Sequence, residues 1–548
     1  MTKRKLTPSH HIRKALRNRD SSYHPNHPSY KWWILANVMI GTFMAVLDST
    51  IVNVGLPKIM ASFGVGIDKI EWVITAYMLA LAVALPTSGW LSDRFGYKRM
   101  YFMGMLLFTI GSFLCGISGN ENLLIISRVI QGLGAGTIMP LGMAIVFREF
   151  PPEQRGIAVG FWSIAAAASV SFGPLIGGFL VDNFNWQLIF DVNVPVGIVG
   201  LIATIIIQQE YIHPVKKRFD FLGFLSVSTF LPLILYALTE GNAQTNTGGW
   251  EAPHVLLCFA IAIVAFAVFL TTELTVKEPL IDLSLLKNYN FGITNIIMFI
   301  FSVGMFGSTF LLPLYLQNSL GYTAIMSGAV FLPVGIIQGI MAPISGFLSN
   351  KINPKIIVFL SIIILAFSFY LNSFLTPLTE HKFIMLALYF RGFAMGVLFT
   401  ALSTMSMLEI PREKMAQASG LTNIIRQLGG SFGVAILATL LSSRVDYHTQ
   451  IYGEALQSNS EVYKTTNTQM SYYIQREAGS APANAARQSQ MVISSQVNKE
   501  AFVQAVDDDF LIAGLITLLG GIPVFWLHGR RKGKEKEQGN PAAMAAAD

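Results

Sequence analysis

The chain has 548 residues, 53% hydrophobic and only 13% charged, and its mean hydropathy is +0.53. Soluble domains carry about 25% charged residues, so this composition excludes an ordinary soluble protein and points to a polytopic membrane protein. A net charge of +7 raises the question of nucleic acid, but the basic residues gather in the connections between apolar runs rather than in one patch. Cys115 and Cys258 lie inside apolar runs and suit neither a disulfide framework nor a zinc site.

Residues 1–31 form a basic, polar tail, too long for a signal-peptide n-region, and no cleavage is expected. Apolar runs of spanning length follow near 32–56, 71–91, 100–118, 122–147, 157–181, 188–208, 220–239, 254–274, 291–317, 325–348, 355–375, 383–408, 417–441 and 507–527. These fourteen runs, an even number, put both termini on one side. Most of the 38 Lys and Arg lie in the two tails and the even-numbered connections, among them Arg94, Arg99, Arg148, Lys216, Lys277, Lys351, Arg412 and Lys414. By the positive-inside rule those connections and both termini are cytoplasmic, and no nucleic-acid partner is expected.

The first run, Trp32 to Leu56, contains the carboxylate of Asp48. An ionisable group inside a spanning helix costs roughly 2.5–3.5 kcal/mol, so it sits at a membrane edge or faces a partner or a wet cavity. Asp48 lies about 24 Å into its helix at 1.5 Å per residue, and Arg128 about 9 Å inside the outer end of span four. The two are therefore at similar depth in the outer half, where a direct or water-mediated pair is feasible.

Three short segments recur in order. Gly89-Trp-Leu-Ser-Asp93-Arg94 returns in form as Gly346-Phe-Leu-Ser-Asn350-Lys351, Arg128 as Arg391, and Ser171-Phe-Gly173 as Ser431-Phe-Gly433. The offset stays near roughly 260 residues, so the chain is two related halves. That offset spans eight runs, so two extra helices, the seventh and eighth, separate six-span halves.

The loop after span two, Gly89 to Arg99, closely resembles the loop signature of the major facilitator superfamily. The resemblance implies an inner latch between halves built on Gly89, Asp93, Arg94, Gly96 and Arg99. Its second-half copy is degenerate, with Asn350 for the acid. The run Gly173-Pro174-Leu-Ile-Gly177-Gly178 resembles the antiporter signature of proton-coupled efflux members, with Ser169 in place of that signature's first Gly. Arg128-Val-Ile-Gln131-Gly132 resembles a further signature of the superfamily, and Leu47-Asp48-Ser-Thr-Ile-Val-Asn53, Phe190-Asp-Val-Asn193-Val-Pro and Asn423-Ile-Ile-Arg426-Gln427 resemble signatures of the fourteen-span drug:proton antiporters, the EmrB/QacA type, with the EmrB branch nearest.

That resemblance implies an all-α membrane protein of the major facilitator fold: two pseudo-symmetric six-helix bundles plus two inserted helices. The expected organisation is a cytoplasmic tail 1–31, a bundle 32–210, inserted helices 211–276, an interfacial linker 277–290, five helices 291–441, a periplasmic loop 442–505, a last helix 506–527 and a cytoplasmic tail 528–548. The loop 442–505 reads as polar and flexible, or as a docking element with a helix over about 482–505.

The implied activity is proton-coupled efflux of amphipathic drugs across a bacterial inner membrane, with Asp48 and Arg128 in proton coupling. No enzyme site, cofactor or metal is expected, and the energy source is a proton gradient. A periplasmic adaptor and an outer-membrane channel are implied partners, with lipid around the spans. Asn53, Gln131, Phe301, Phe306, Phe310, Tyr315, Gln338, Asn423, Arg426 and Gln427 are the expected cavity residues. The rival readings are an exporter of one endogenous metabolite or lipid, and a non-transporting receptor or scaffold.

Overall fold

The computed structural model describes residues 27–211, 219–241, 246–455 and 460–528. All regular structure among them is helical. Fourteen helices are long and apolar enough to cross a membrane. We number these spanning helices in chain order: α1 (Tyr30–Phe63), α2 (Ile67–Phe95), α3 (Tyr97–Gly116), α4 (Glu121–Glu149), α5 (Arg155–Asn183), α6 (Asn193–Ile207), α7 (Phe221–Glu240), α8 (Pro253–Thr275), α9 (Tyr289–Asn318), α10 (Leu332–Lys351), α11 (Pro354–Leu371), α12 (His381–Ser406), α13 (Met415–Ala455) and α14 (Pro482–Leu519).

Hydrocarbon offers no hydrogen-bond partner to a bare peptide group, so each apolar run satisfies its own backbone as a helix. Interior prolines such as Pro57 in α1, Pro140 in α4 and Pro174 in α5 are absorbed without ending the helix. Helix ends are set by caps: Asn120 accepts from Leu123 N at 2.9 Å to begin α4, and Gly64 takes a left-handed φ of 65° to end α1.

Helices α1–α6 form one bundle and α9–α14 the other, while α8 packs on α7 and α7 in turn on α2 and α13. The bundles meet through α5 against α10 and α2 against α13. Glycines make the first contact close. A Cβ on Gly346 would stand 2.1 Å from the Gly156 carbonyl, and one on Gly160 2.5 Å from the Pro343 backbone. These approaches, like that of Gly420 to the Leu85 carbonyl, lie toward the helix ends that carry the basic connections. There the facing residues of α4, α12 and α13 are buried, including Phe147, Leu402 and Ala416. Beyond Asp48, on the other side, Ser49 and Asn53 of α1 are exposed. The molecule is closed at its basic face.

The segment 442–505 differs from the flexible-loop reading. Its described parts are helical: α13 runs on to Ala455, a further helix covers Glu461–Ala478, and α14 begins at Pro482. The physical reason is composition, since Ala, Gln, Glu, Lys and Arg are good helix formers even where polarity rules out a span. Ser489 Oγ donates to Asn467 O at 3.1 Å and fastens the two external helices together.

Packing at the α5–α10 crossing sets a clear expectation. Gly346→Ala should destabilise the protein by about 1–3 kcal/mol through overpacking. Gly453→Ala, with nothing within 4 Å of the added carbon, should not. Thermal unfolding in detergent distinguishes the two.

Candidate functional site: a sealed charge cluster and the seams around it

Asp48 projects from α1 toward α4 and is wholly buried, with Arg128 only 1% exposed. The two form an ion pair through Arg128 Nη1 and Asp48 Oδ2. The other Asp48 oxygen accepts from Gln131 Nε2 at 2.7 Å and Asn193 Nδ2 at 3.3 Å. Gln131 bridges the cluster: its Oε1 accepts from Arg128 Nη1 at 2.7 Å, and its amide also donates to Ser112 Oγ at 2.7 Å. Arg128 Nε donates to the Val73 carbonyl at 2.9 Å, and the guanidinium lies over the Tyr77 ring at 4.1 Å.

Every spanning helix of this bundle except α5 thus contributes to one polar knot. Helical spacing explains why: Arg128 and Gln131 are three apart on α4 and share a face. Two buried charges are tolerated because each is paired and its remaining hydrogen-bond sites are filled. Chemically, a proton on Asp48 and the ion pair to Arg128 are alternatives, so any motion that parts α1 from α4 changes the demand for a proton.

The second bundle breaks the symmetry. Arg391 is the counterpart of Arg128, and it is just as buried. At the repeat offset of Gly89 and Gly346, Asp48 corresponds to Met305. Arg391 Nη2 donates to the Met305 carbonyl at 3.2 Å and to Thr309 Oγ1, and it makes no ion pair among the described residues. Only the first bundle carries a carboxylate that a proton could neutralise at this position.

The Gly173–Gly178 run lies between Asp48's helix and the second bundle. A Cβ on Gly173 would meet Thr50 Oγ1 at 2.1 Å, and one on Gly177 would meet Ile51 Cγ1 at 2.8 Å. On the other side, Gly178 faces Ile325 at 2.7 Å, and Pro174 fills the space beside Gly328. A shift of α5 is therefore transmitted both to the turn after Asp48 and across the seam.

At the basic face, a Cβ on Gly89 would touch the Gln417 backbone at 3.2 Å, and Asp93 Oδ2 accepts from Gln417 Nε2 at 3.1 Å. This is a direct hydrogen bond between bundles. Gly96 turns the chain with a φ of 98°, and its missing side chain leaves room for Glu210, which accepts from the Lys98 and Arg99 amides at 3.1 and 3.2 Å. Burial pushes the Glu210 carboxyl up from its usual range, against the pull of those amides and of the Arg99 guanidinium at 3.5 Å. Arg94 is exposed.

The expected cavity residues are not brought together. Phe301 and Tyr315 are buried in the second bundle's own core, the Tyr315 hydroxyl donating to Thr376 O at 2.7 Å. Phe310 packs against that same core, and Phe306 lies against Gly430. Gln131 belongs to the Asp48 knot. Aromatic residues on α9 have more packing partners within their bundle than across the seam, which periodicity does not reveal.

Asn53 is exposed, Gln338 half-buried, and Gln427 lines a narrow gap with Leu85, Leu231 and Leu235. Arg426 donates to Asn423 Oδ1 at 2.9 Å and lies over Phe399 at 5.8 Å.

Ser112, Tyr77, Gln417 and Glu210 were not anticipated from the sequence; Asn193 lay in a recognised motif without a role. Among the described residues no group of three or more His, Cys, Asp or Glu is arranged to hold a metal ion.

Comparison with known proteins places this geometry in a family. Residues 38–434 match the family model of the Major Facilitator Superfamily. The chain is 31% identical to the "Multidrug export protein EmrB" of Haemophilus influenzae, covering 89% of this chain and 93% of that one. It is 33% identical to the protein of the same description from Escherichia coli, over 75% and 80% of the two chains. The human organic anion transporter MFSD10 shares the fold at a TM-score of 0.59 and 13% identity, over 91% of this chain and 99% of that one.

If the pair is held as described, Arg128→Met strands a buried carboxylate and should cost about 3–5 kcal/mol. The double variant Asp48→Asn/Arg128→Met should cost less than the sum of its parts. A double-mutant cycle on thermal unfolding measures the coupling.

Proposed function

The chain belongs to the major facilitator superfamily and is an EmrB-type, multi-pass membrane transporter rather than an enzyme. We propose that it exports amphipathic small molecules across a bacterial inner membrane in exchange for protons, with the basic face and both termini cytoplasmic. The observation that carries this reading is the sealed Asp48–Arg128 pair, matched in the second bundle by an arginine without its acid.

In this reading the molecule as described is closed to the cytoplasm and holds Asp48 ionised against Arg128. Opening toward the cytoplasm breaks the Asp93–Gln417 bond and slides α5 along α1, parting the charge pair. Asp48 then needs either a proton or a cationic group, and exchange follows because the two compete for one carboxylate. No cofactor is needed, since the gradient supplies the energy. The multidrug-export relatives support a broad substrate range, and the half-buried Arg426, Gln427 and Gln338 near the seam are its polar contacts. We further propose that the external helices 461–503 meet a periplasmic adaptor, which connects to an outer-membrane channel.

Inverted vesicles with a pH-sensitive dye test the coupling. Several unrelated drugs should each release protons in wild type, and Asp48→Asn should abolish that release while the protein still inserts. Proton release that survives in Asp48→Asn rules out Asp48 as the coupling acid; response to a single metabolite favours the narrower exporter. Removing 461–503 should abolish drug resistance in whole cells but leave vesicle transport intact. Undiminished resistance would count against docking through these helices.

A further inference from the structure

Between Asp48 and the basic face the two bundles also meet through a pair of aromatic rings outside the charge cluster. Trp162 of α5 and Phe399 of α12 each stand about two turns from the basic end of their helix. Their rings stack across the seam, with centroids 6.1 Å apart and planes 19° from parallel. Trp162 is 2% exposed, and its Nε1 donates to the buried Thr42 Oγ1 at 2.8 Å. Thr42 stands about 9 Å along α1 from Asp48, on the side of the basic face. With its N–H filled, the indole presents only apolar ring to Phe399. Phe399 in turn packs against the hydrophobic cores of both bundles.

Beside Phe399 stands a fixed positive charge. The Arg426 guanidinium of α13 lies 5.8 Å from the centre of that ring and donates to Asn423 Oδ1 at 2.9 Å. It makes no ion pair among the described residues. The sequence offers it few acids, since α9 and α12 contain none and those of α5 and α13 lie toward their outer ends. Arginine keeps its charge in such surroundings. Stacked apolar rings offer water no hydrogen bonds, so a constriction built from them sheds water, and a neighbouring guanidinium repels any cation that approaches.

We propose that Trp162, Phe399 and Arg426 form a proton barrier on the basic-face side of Asp48. While the rings are stacked, the carboxylate exchanges protons with the outer side alone. This rests on the proposed role of Asp48 as the acid that exchanges protons. A carboxylate reached from both sides at once would let protons run down their gradient without moving substrate. The charge cluster by itself does not prevent that. Gly156 and Gly160 close α5 against α10, and the stack closes α5 against α12. The Trp162–Thr42 bond ties the barrier to Asp48's own helix, so a movement of α1 that alters the charge pair also pulls on the rings.

Proton leak is measured without any drug, which separates this barrier from export. Liposomes holding the purified protein and a trapped pH dye are given a pH difference, with potassium and valinomycin balancing charge. Wild type should hold the difference as long as protein-free liposomes do. Phe399→Ala and Trp162→Ala should each dissipate it several-fold faster. Trp162→Phe, which restores a ring, should hold it as wild type does. Arg426→Gln, with both rings in place, should leak at an intermediate rate.

Adding Asp48→Asn to Phe399→Ala should stop the leak, whereas a mere packing hole would go on passing protons. Alanine variants that insert normally and stay as tight as wild type overturn the proposal, as does a leak that persists in the double variant. If wild type exchanges no protons for drugs and Phe399→Ala still leaks through Asp48, the barrier stands and the export reading fails.

Discussion

A charge that has left water must find its partner inside the protein, and the architecture of the first bundle follows from that constraint. Asp48 and Arg128 answer each other, but the pair alone would leave lone pairs and N–H groups unfilled. Gln131, Asn193, Ser112 and the Val73 carbonyl complete it, drawing five helices to one point. The cluster is wholly buried, so its geometry is tied to how those helices sit.

Glycine lets the helices approach one another closely. Along α5, the missing side chains of Gly156, Gly160, Gly173, Gly177 and Gly178 allow backbone contact on two sides, toward α1 and toward the second bundle. Smooth helix surfaces at van der Waals contact offer few side-chain interlocks, which suits sliding. At the basic face the contact is directional instead: a hydrogen bond from Gln417 to Asp93, reinforced by the linker through Lys414. The two seams thus differ in kind: one is a close backbone approach, the other a directional polar contact. Of the inserted helices, which take no part in the charge cluster, α7 lies against α2 and α13, the helices that carry Asp93 and Gln417.

The repeat also shows how duplicated halves diverge. Arg391 remains where Arg128 would lead one to expect it, but Met305 offers only its carbonyl. An arginine bonded to a backbone carbonyl and a threonine can glue helices without titrating. The first bundle therefore pairs its buried arginine with a carboxylate and the second does not, a difference that is visible only when equivalent positions are compared side by side.

Much of the fold was legible from the residues. Fourteen apolar runs and the recurring Gly89, Arg128 and Gly173 segments specify helices and two halves, because hydrocarbon forces nearly every long apolar run to be one continuous helix. The pairing of Asp48 with Arg128 was also within reach, since helical rise converts position into depth. Rotation about a helix axis was not. Phe301 and Tyr315 have suitable chemistry for a cavity wall, yet they turn into their own bundle, and Gln131 turns to the acid.

The external helices hid behind a polar composition that signals surface without signalling its conformation. Gln417 meeting Asp93 and Glu210 seated beside Gly96 join residues far apart in the chain. Local sequence determined which segments are helices long and apolar enough to cross a membrane and how far along its helix each charge lies. Which side chains face one another was decided only by tertiary packing, because that depends on helix rotation and on the close approaches that particular glycines permit.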